Sequence, residues 1–159
     1  MKTSFVTCVV MACLAVPAFV IVSSTRVDAH CQVPCGIYDD HARIHLMLED
    51  VTTITKAIAQ IEELSKKMNA LNLNQATRWI ATKEEHASRI ITTVAEYFLT
   101  QRVKDVAPGA TDYQDYLNKL ASHHRAMRAA MKTKQTVSLE AASALKSAVE
   151  ELGKLYPGK

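Results

Sequence analysis

The nine residues His30-Cys31-Gln32-Val33-Pro34-Cys35-Gly36-Ile37-Tyr38 concentrate the side chains of this chain that could do chemistry. Two thiols and an imidazole stand within six positions of each other, with a rigid proline between the thiols. Thiolates bind soft or borderline metals, and imidazole suits zinc, copper, iron and nickel. If the chain is cut before His30, that residue gains a free α-amine. One short loop then offers amine, imidazole and two thiolates to a single ion. The same residues also admit a plainer outcome, a Cys31–Cys35 disulfide closing a small loop after export.

Several other chemistries are excluded by spacing. No second Cys/His pair stands where a structural zinc ribbon needs one. The Cys-x₃-Cys spacing is not that of a thioredoxin-like redox pair, and there is no Cys-x-x-Cys-His for haem attachment. No glutamate has a histidine three residues on, so the carboxylate–histidine pattern of di-iron bundles is absent.

The stretch before the loop has the organisation of a secretory leader. Lys2 gives a positive start, Phe5 to Val22 is almost wholly apolar, and Val27-Asp28-Ala29 supplies small residues for cleavage before His30. Pro17 within the run argues against an uncleaved membrane anchor. The expected division is residues 1–29 as a cleavable signal peptide, 30–38 as the metal-binding loop and 39–159 as the folded body. The product would be exported, periplasmic or extracellular, with no stable membrane association. All four cysteines lie in the first 35 residues, so the mature chain has only the Cys31/Cys35 pair for thiol chemistry.

The rest must be the scaffold. Four glycines, four prolines and few aromatics lean towards an all-α protein. A net charge of +3 with acidic and basic residues interspersed gives no nucleic-acid footprint, though it favours a small anionic substrate. Asp39 and Asp40 are suitable caps for a first helix running to about Met68. Its apolar stripe is Ile44, Met47, Val51, Ile54, Ile58 and Ile61, in steps of three and four. A second helix, about Gln75 to Lys104, carries Ile80, Ala87, Ile90, Val94 and Tyr97 or Phe98 on one face. Ala107-Pro108-Gly109-Ala110 ends it, and Thr111-Asp112-Tyr113-Gln114 fits a capping box for the third. That helix presents Leu117, Leu120, His124, Met127 and Met131, with His123 expected to face solvent. After a polar connection, Lys132 to Val137, Ser138 caps a fourth helix striped by Leu139, Ala142, Leu145, Val149 and Leu152. Short loops between amphipathic helices predict an antiparallel up-down four-helix bundle with an irregular N-terminal metal-binding hook.

His-Cys-x-x-Pro-Cys-Gly-x-Tyr directly after a cleavage site, leading into such a body, closely resembles the nickel superoxide dismutases. The likeness is dense at His30, Cys31, Pro34, Cys35, Gly36, Tyr38 and Asp39. Beyond them it rests on length, helix pattern and the local sequences Ala42-Arg43-Ile44, Lys83-Glu84 and Tyr97-Phe98. The resemblance implies one nickel ion per chain and conversion of superoxide to oxygen and hydrogen peroxide by Ni(II)/Ni(III) cycling. Nickel(II) would be held in a square plane by the α-amine of His30, the amide nitrogen of Cys31 and the sulfurs of Cys31 and Cys35. The His30 imidazole would join in nickel(III). Pro34 would stiffen the turn, Tyr38 would lie at the substrate approach, and Tyr97 is a weaker candidate for the same pocket. Family members are hexamers, so a homo-oligomer is implied.

In the family a glutamate on the first helix and an arginine on the second commonly hold the axial imidazole. Aligning the local sequences puts His45 and His86 at those positions, so two imidazoles would stand behind His30. Partners of this kind fix a ligand's orientation and basicity. His41 and His45 share a helix face at i, i+4, a spacing that admits a metal, although a solvated or hook-packing pair is the commoner use. Trp79, Met127 and Met131 are expected to serve packing.

Overall fold

The computed structural model describes residues 39–158. The hook residues His30, Cys31, Pro34, Cys35 and Tyr38, and the leader before them, lie outside the described residues. Those described fold into four helices with no strand among them: α1 (Asp40–Ser65), α2 (Ala70–Thr92), α3 (Tyr113–Gln135) and α4 (Leu139–Gly153). A π-helical segment, Thr93–Arg102, prolongs α2 without a break. α1 packs against α2 and α4, and α3 packs against the same two, so the helices form a bundle around one core.

Caps fix where three helices start. The Asp39 carboxylate accepts from the amides of His41 and Ala42, at 2.9 and 3.2 Å. Asn69 accepts from Asn72 N at 2.8 Å and Ser138 from Ala141 N at 3.2 Å. Each satisfies an amide that the first helical turn leaves without a backbone partner. Asn69 therefore starts α2 five residues earlier than expected, because the stretch Asn69–Asn74, three asparagines interspersed with Ala70, Leu71 and Leu73, caps and enters the helix rather than forming a loop. The expected capping box at Thr111 is absent. Asp112 precedes α3 and makes no side-chain cap. α3 also continues through Lys132–Gln135, which had been expected as connection.

The whole predicted stripe of α1 is buried, from Ile44 to Ile61, and so are Ala142, Leu145, Val149 and Leu152 of α4. Residues three and four apart fall on one helical face, so burial of that face drives the packing. Three stripes are corrected, that of α4 only at Leu139, which is exposed. On α2, Ile80 is exposed and Lys83 buried. On α3 the buried face is His123, Ala126, Ala130 and Thr133, while His124 is exposed and Leu117 and Met131 are partly exposed. The register is one residue away from that expected, because α3 packs through its small side chains and turns its larger ones outward. Met127 packs at the core margin. Trp79 is half-buried, with the Lys56 ammonium 6.0 Å from its ring centroid.

Lys83 shows why a charge stands at an apolar position. Its Nζ donates to the carbonyls of Thr133 and Lys134, at 2.6 and 2.9 Å, and to Glu84 at 2.9 Å. Those carbonyls belong to the last turn of α3, where oxygens lack helical partners and the helix dipole is negative.

Candidate metal centre

The residues of the expected hook precede Asp39 in the chain, so the first turn of α1 is the described structure next to them in sequence. Asp40 there is the hub of a polar cluster. The Tyr97 hydroxyl donates to Asp40 Oδ1, and Arg102 donates to Oδ2 through Nη2 at 2.6 Å and Nε at 2.9 Å. The Arg43 guanidinium lies 5.4 Å from the Tyr97 ring centroid. Tyr97 is 8% exposed, and burial followed by the hydrogen bond to Asp40 pushes its phenol well above the ordinary range. At neutral pH this phenol is a hydrogen-bond donor, not a phenolate.

The π-helical segment brings Tyr97 and Arg102 onto one carboxylate. In an α-helix residues five apart point about 140° away from each other. Hydrogen bonds from i+5 to i widen the turn, and Val103 N bonds to Phe98 O at 2.9 Å in that pattern. Residues five apart then face the same way.

The C-terminal tail closes over the same end. His41 Nδ1 donates to the Tyr156 carbonyl at 3.2 Å, and His45 Nε2 lies 2.9 Å from His41 Nε2. Gly158 packs so closely that a Cβ there would stand 3.1 Å from the His41 ring. The Tyr156 hydroxyl donates to His123 Nε2 at 2.9 Å, while His123 Nδ1 donates to the Lys119 carbonyl at 2.7 Å. Burial pushes the Tyr156 phenol up to about 12 and the His123 imidazole below its ordinary value. Both rings pack on Phe98, with centroids 4.5 and 5.8 Å away. An open cleft of about 310 Å³ at this end is lined by Asp40, Arg102, Lys119, Leu155, Tyr156 and Pro157.

His86 belongs to a different cluster. Its Nδ1 lies 2.6 Å from Asp50 Oδ1, which also accepts from Arg89 at 3.1 Å. Asp50 is 3% exposed. Desolvation raises its pKa, against the opposing pull of His86 and then Arg89. The two histidines expected behind the hook are thus not brought together: His45 pairs with His41, and His86 with Asp50. Their relation to His30 lies outside the described residues. Tyr97 does reach the first turn of α1, through Asp40.

Sequence reasoning missed Asp40, Arg102, His123 and Tyr156 as members of one cluster, and Asp50 as the partner of His86. Asp50 did carry a signal, an acidic residue three positions after Met47 on the core face of α1. Tyr156 lies beyond the last helix, where helical periodicity says nothing.

Among the described residues no group of three or more His, Cys, Asp or Glu side chains is placed to hold a metal. Nor, among the described residues, is any helix long and apolar enough to cross a membrane. The donor set suited to a borderline ion is that of His30, Cys31 and Cys35. The family model for nickel-containing superoxide dismutase matches residues 25–159, spanning those donors and the bundle. No curated relative and no solved structure matches the chain.

Proposed function

The chain belongs to the nickel-containing superoxide dismutase family, and on that premise we propose that His30, Cys31 and Cys35 hold its nickel and that superoxide is dismutated there. The observation that carries this reading is the donor-dense segment His30–Tyr38 falling inside the family match. The enzyme is an oxidoreductase with nickel as cofactor. Thiolate sulfurs with amine and imidazole nitrogens fit such an ion. Bound nickel supplies one-electron cycling between Ni(II) and Ni(III), so that one superoxide gives up an electron and the next, with two protons, gains one. The products are oxygen and hydrogen peroxide.

The chain's own residues then bind, orient and shield. The α-amine and imidazole of His30, the amide nitrogen of Cys31 and the thiolates of Cys31 and Cys35 would be the ligands, and Pro34 restricts the path between the thiols. Tyr38 stands at the substrate approach and offers a phenol to superoxide or an ordered water. Beneath it, the Asp39 cap and the Asp40–Tyr97–Arg102 cluster fix the chain where it enters the bundle. With Arg102 paired to Asp40, Lys119 leaves the cleft there net positive, which draws a small anion.

The wider reading follows the resemblance. Residues 1–29 are a leader removed on export, which exposes the amine of His30. The four helices run antiparallel, up and down, and the subunits assemble as a homo-oligomer, a hexamer by family likeness.

Intact mass and metal content of the purified enzyme test the core of this. The expected product starts at His30 with reduced thiols and about one nickel per chain. A mature chain with a Cys31–Cys35 disulfide and no nickel overturns the reading. One residue added before His30 should abolish dismutation, because the amine ligand is then lost.

A further inference from the structure

His41 and His45 occupy successive turns of α1 with their Nε2 atoms 2.9 Å apart and their rings perpendicular. The Tyr156 carbonyl only accepts, so His41 carries its proton on Nδ1 and turns an unprotonated Nε2 towards His45. The geometry points to a second metal site, in which His41 Nε2 and His45 Nε2 hold one borderline divalent ion apart from the hook.

Three observations support it. The 2.9 Å separation is that of an N–H···N hydrogen bond between the two rings, and imidazole–metal bonds of about 2.0–2.1 Å meeting at a right angle would hold the two nitrogens equally far apart. A right angle is that of adjacent positions in the square-planar or tetragonal sites of nickel(II) and copper(II). The second observation is the outer partner of His41. Metal-binding imidazoles nearly always donate their other N–H to a carbonyl or carboxylate, and the Tyr156 carbonyl already accepts from His41 Nδ1. The third is access, because His45 is exposed on the helix surface. Binding requires His45 to carry its proton on Nδ1 instead of Nε2, a tautomer change with no net release of protons.

With two protein ligands and water completing the shell, the site binds weakly and exchangeably. On the nickel reading that has a use. His41 lies six positions after Cys35, a stretch that reaches about 22 Å at most. An ion held by the histidine pair therefore stays within a short tether of the hook's thiols.

Calorimetric titration of the nickel-loaded enzyme with further Ni²⁺ alone tests the site. One additional, weaker equivalent per chain is expected. Outer partners of metal ligands are worth about 10- to 100-fold in affinity, so losing a ligand in His45→Gln or His41→Gln should weaken this equivalent at least about tenfold. His45→Gln changes an exposed helical side chain, and its far-ultraviolet circular dichroism should match the parent. A second titration, after alkylation of Cys31 and Cys35, separates this site from the hook: the equivalent should persist. The proposal is overturned by no additional equivalent, by undiminished affinity in both variants, or by loss of the equivalent on alkylation.

Discussion

Arg102 grips Asp40 through two nitrogens on a single carboxylate oxygen, across 62 positions of sequence. The contact ties the end of the π-helical segment to the first turn of α1, and Tyr97 reinforces it from one turn earlier. A buried tyrosine and a partly exposed arginine thus take the two oxygens of one carboxylate in the first turn of α1.

Removing the shared carboxylate in Asp40→Ala should destabilise the bundle by about 1.5–3 kcal/mol, the range for hydrogen bonds to a charged group. Tyr97→Phe removes only the hydroxyl bond and should cost less. Urea unfolding reads both as a lower midpoint at unchanged slope. Equal stability of Asp40→Ala and the parent would show that the cluster does not anchor α1.

Lys83→Met keeps the aliphatic stem while leaving the Thr133 and Lys134 carbonyls without their donor. A loss of about 1–3 kcal/mol is expected, the cost of stranding buried acceptors. Faster amide exchange in the last turn of α3, with the N-terminal half of that helix unchanged, would localise the effect.

The buried imidazole of His123 makes stability fall with acid. Burial lowers its folded-state pKa, so below the ordinary histidine value of about 6.5 the unfolded chain binds the extra proton and the folded one resists it. Stability is thus lost as pH drops from about 6.5 towards the lower folded value. His123→Gln should flatten that part of a melting-temperature profile. A slope identical to the parent's would assign the acid sensitivity elsewhere.

Asp50 acts with its own sign in a more acidic window. Desolvation raises its folded-state pKa, so its contribution is greatest below the ordinary carboxylate value of about 3.9 and declines as pH rises through the folded one. Asp50→Asn removes this titration, and the measured stability difference between variant and parent should change across that window. A difference constant with pH would contradict it.

Removing nickel with a chelator should abolish dismutation and leave the bundle standing. The described core, with Ile54, Ile58, Phe98 and Leu145 fully buried, contains no metal ligand. Circular dichroism at the helical minima is expected to change little. Collapse of the helical signal on chelation would mean that the bundle depends on the ion.

The sequence by itself determined what is local. The donors of the hook are neighbours in the chain, so their chemistry can be read without a fold. The stripes of α1 and α4, and the caps Asp39 and Ser138, follow from helical period and side-chain chemistry within a few residues. Only the tertiary structure decided that His123 is buried and His124 exposed, since α3 turns on how closely Ala126 and Ala130 let its neighbours approach. It alone placed Tyr97 and Arg102 on one side through i+5 bonding, which no α-helical period predicts. It alone brought His41 to the Tyr156 carbonyl, 115 positions away. A donor cluster is a property of adjacency, whereas the polar cluster at Asp40 depends on which helix faces meet, and that is set by packing the whole bundle at once.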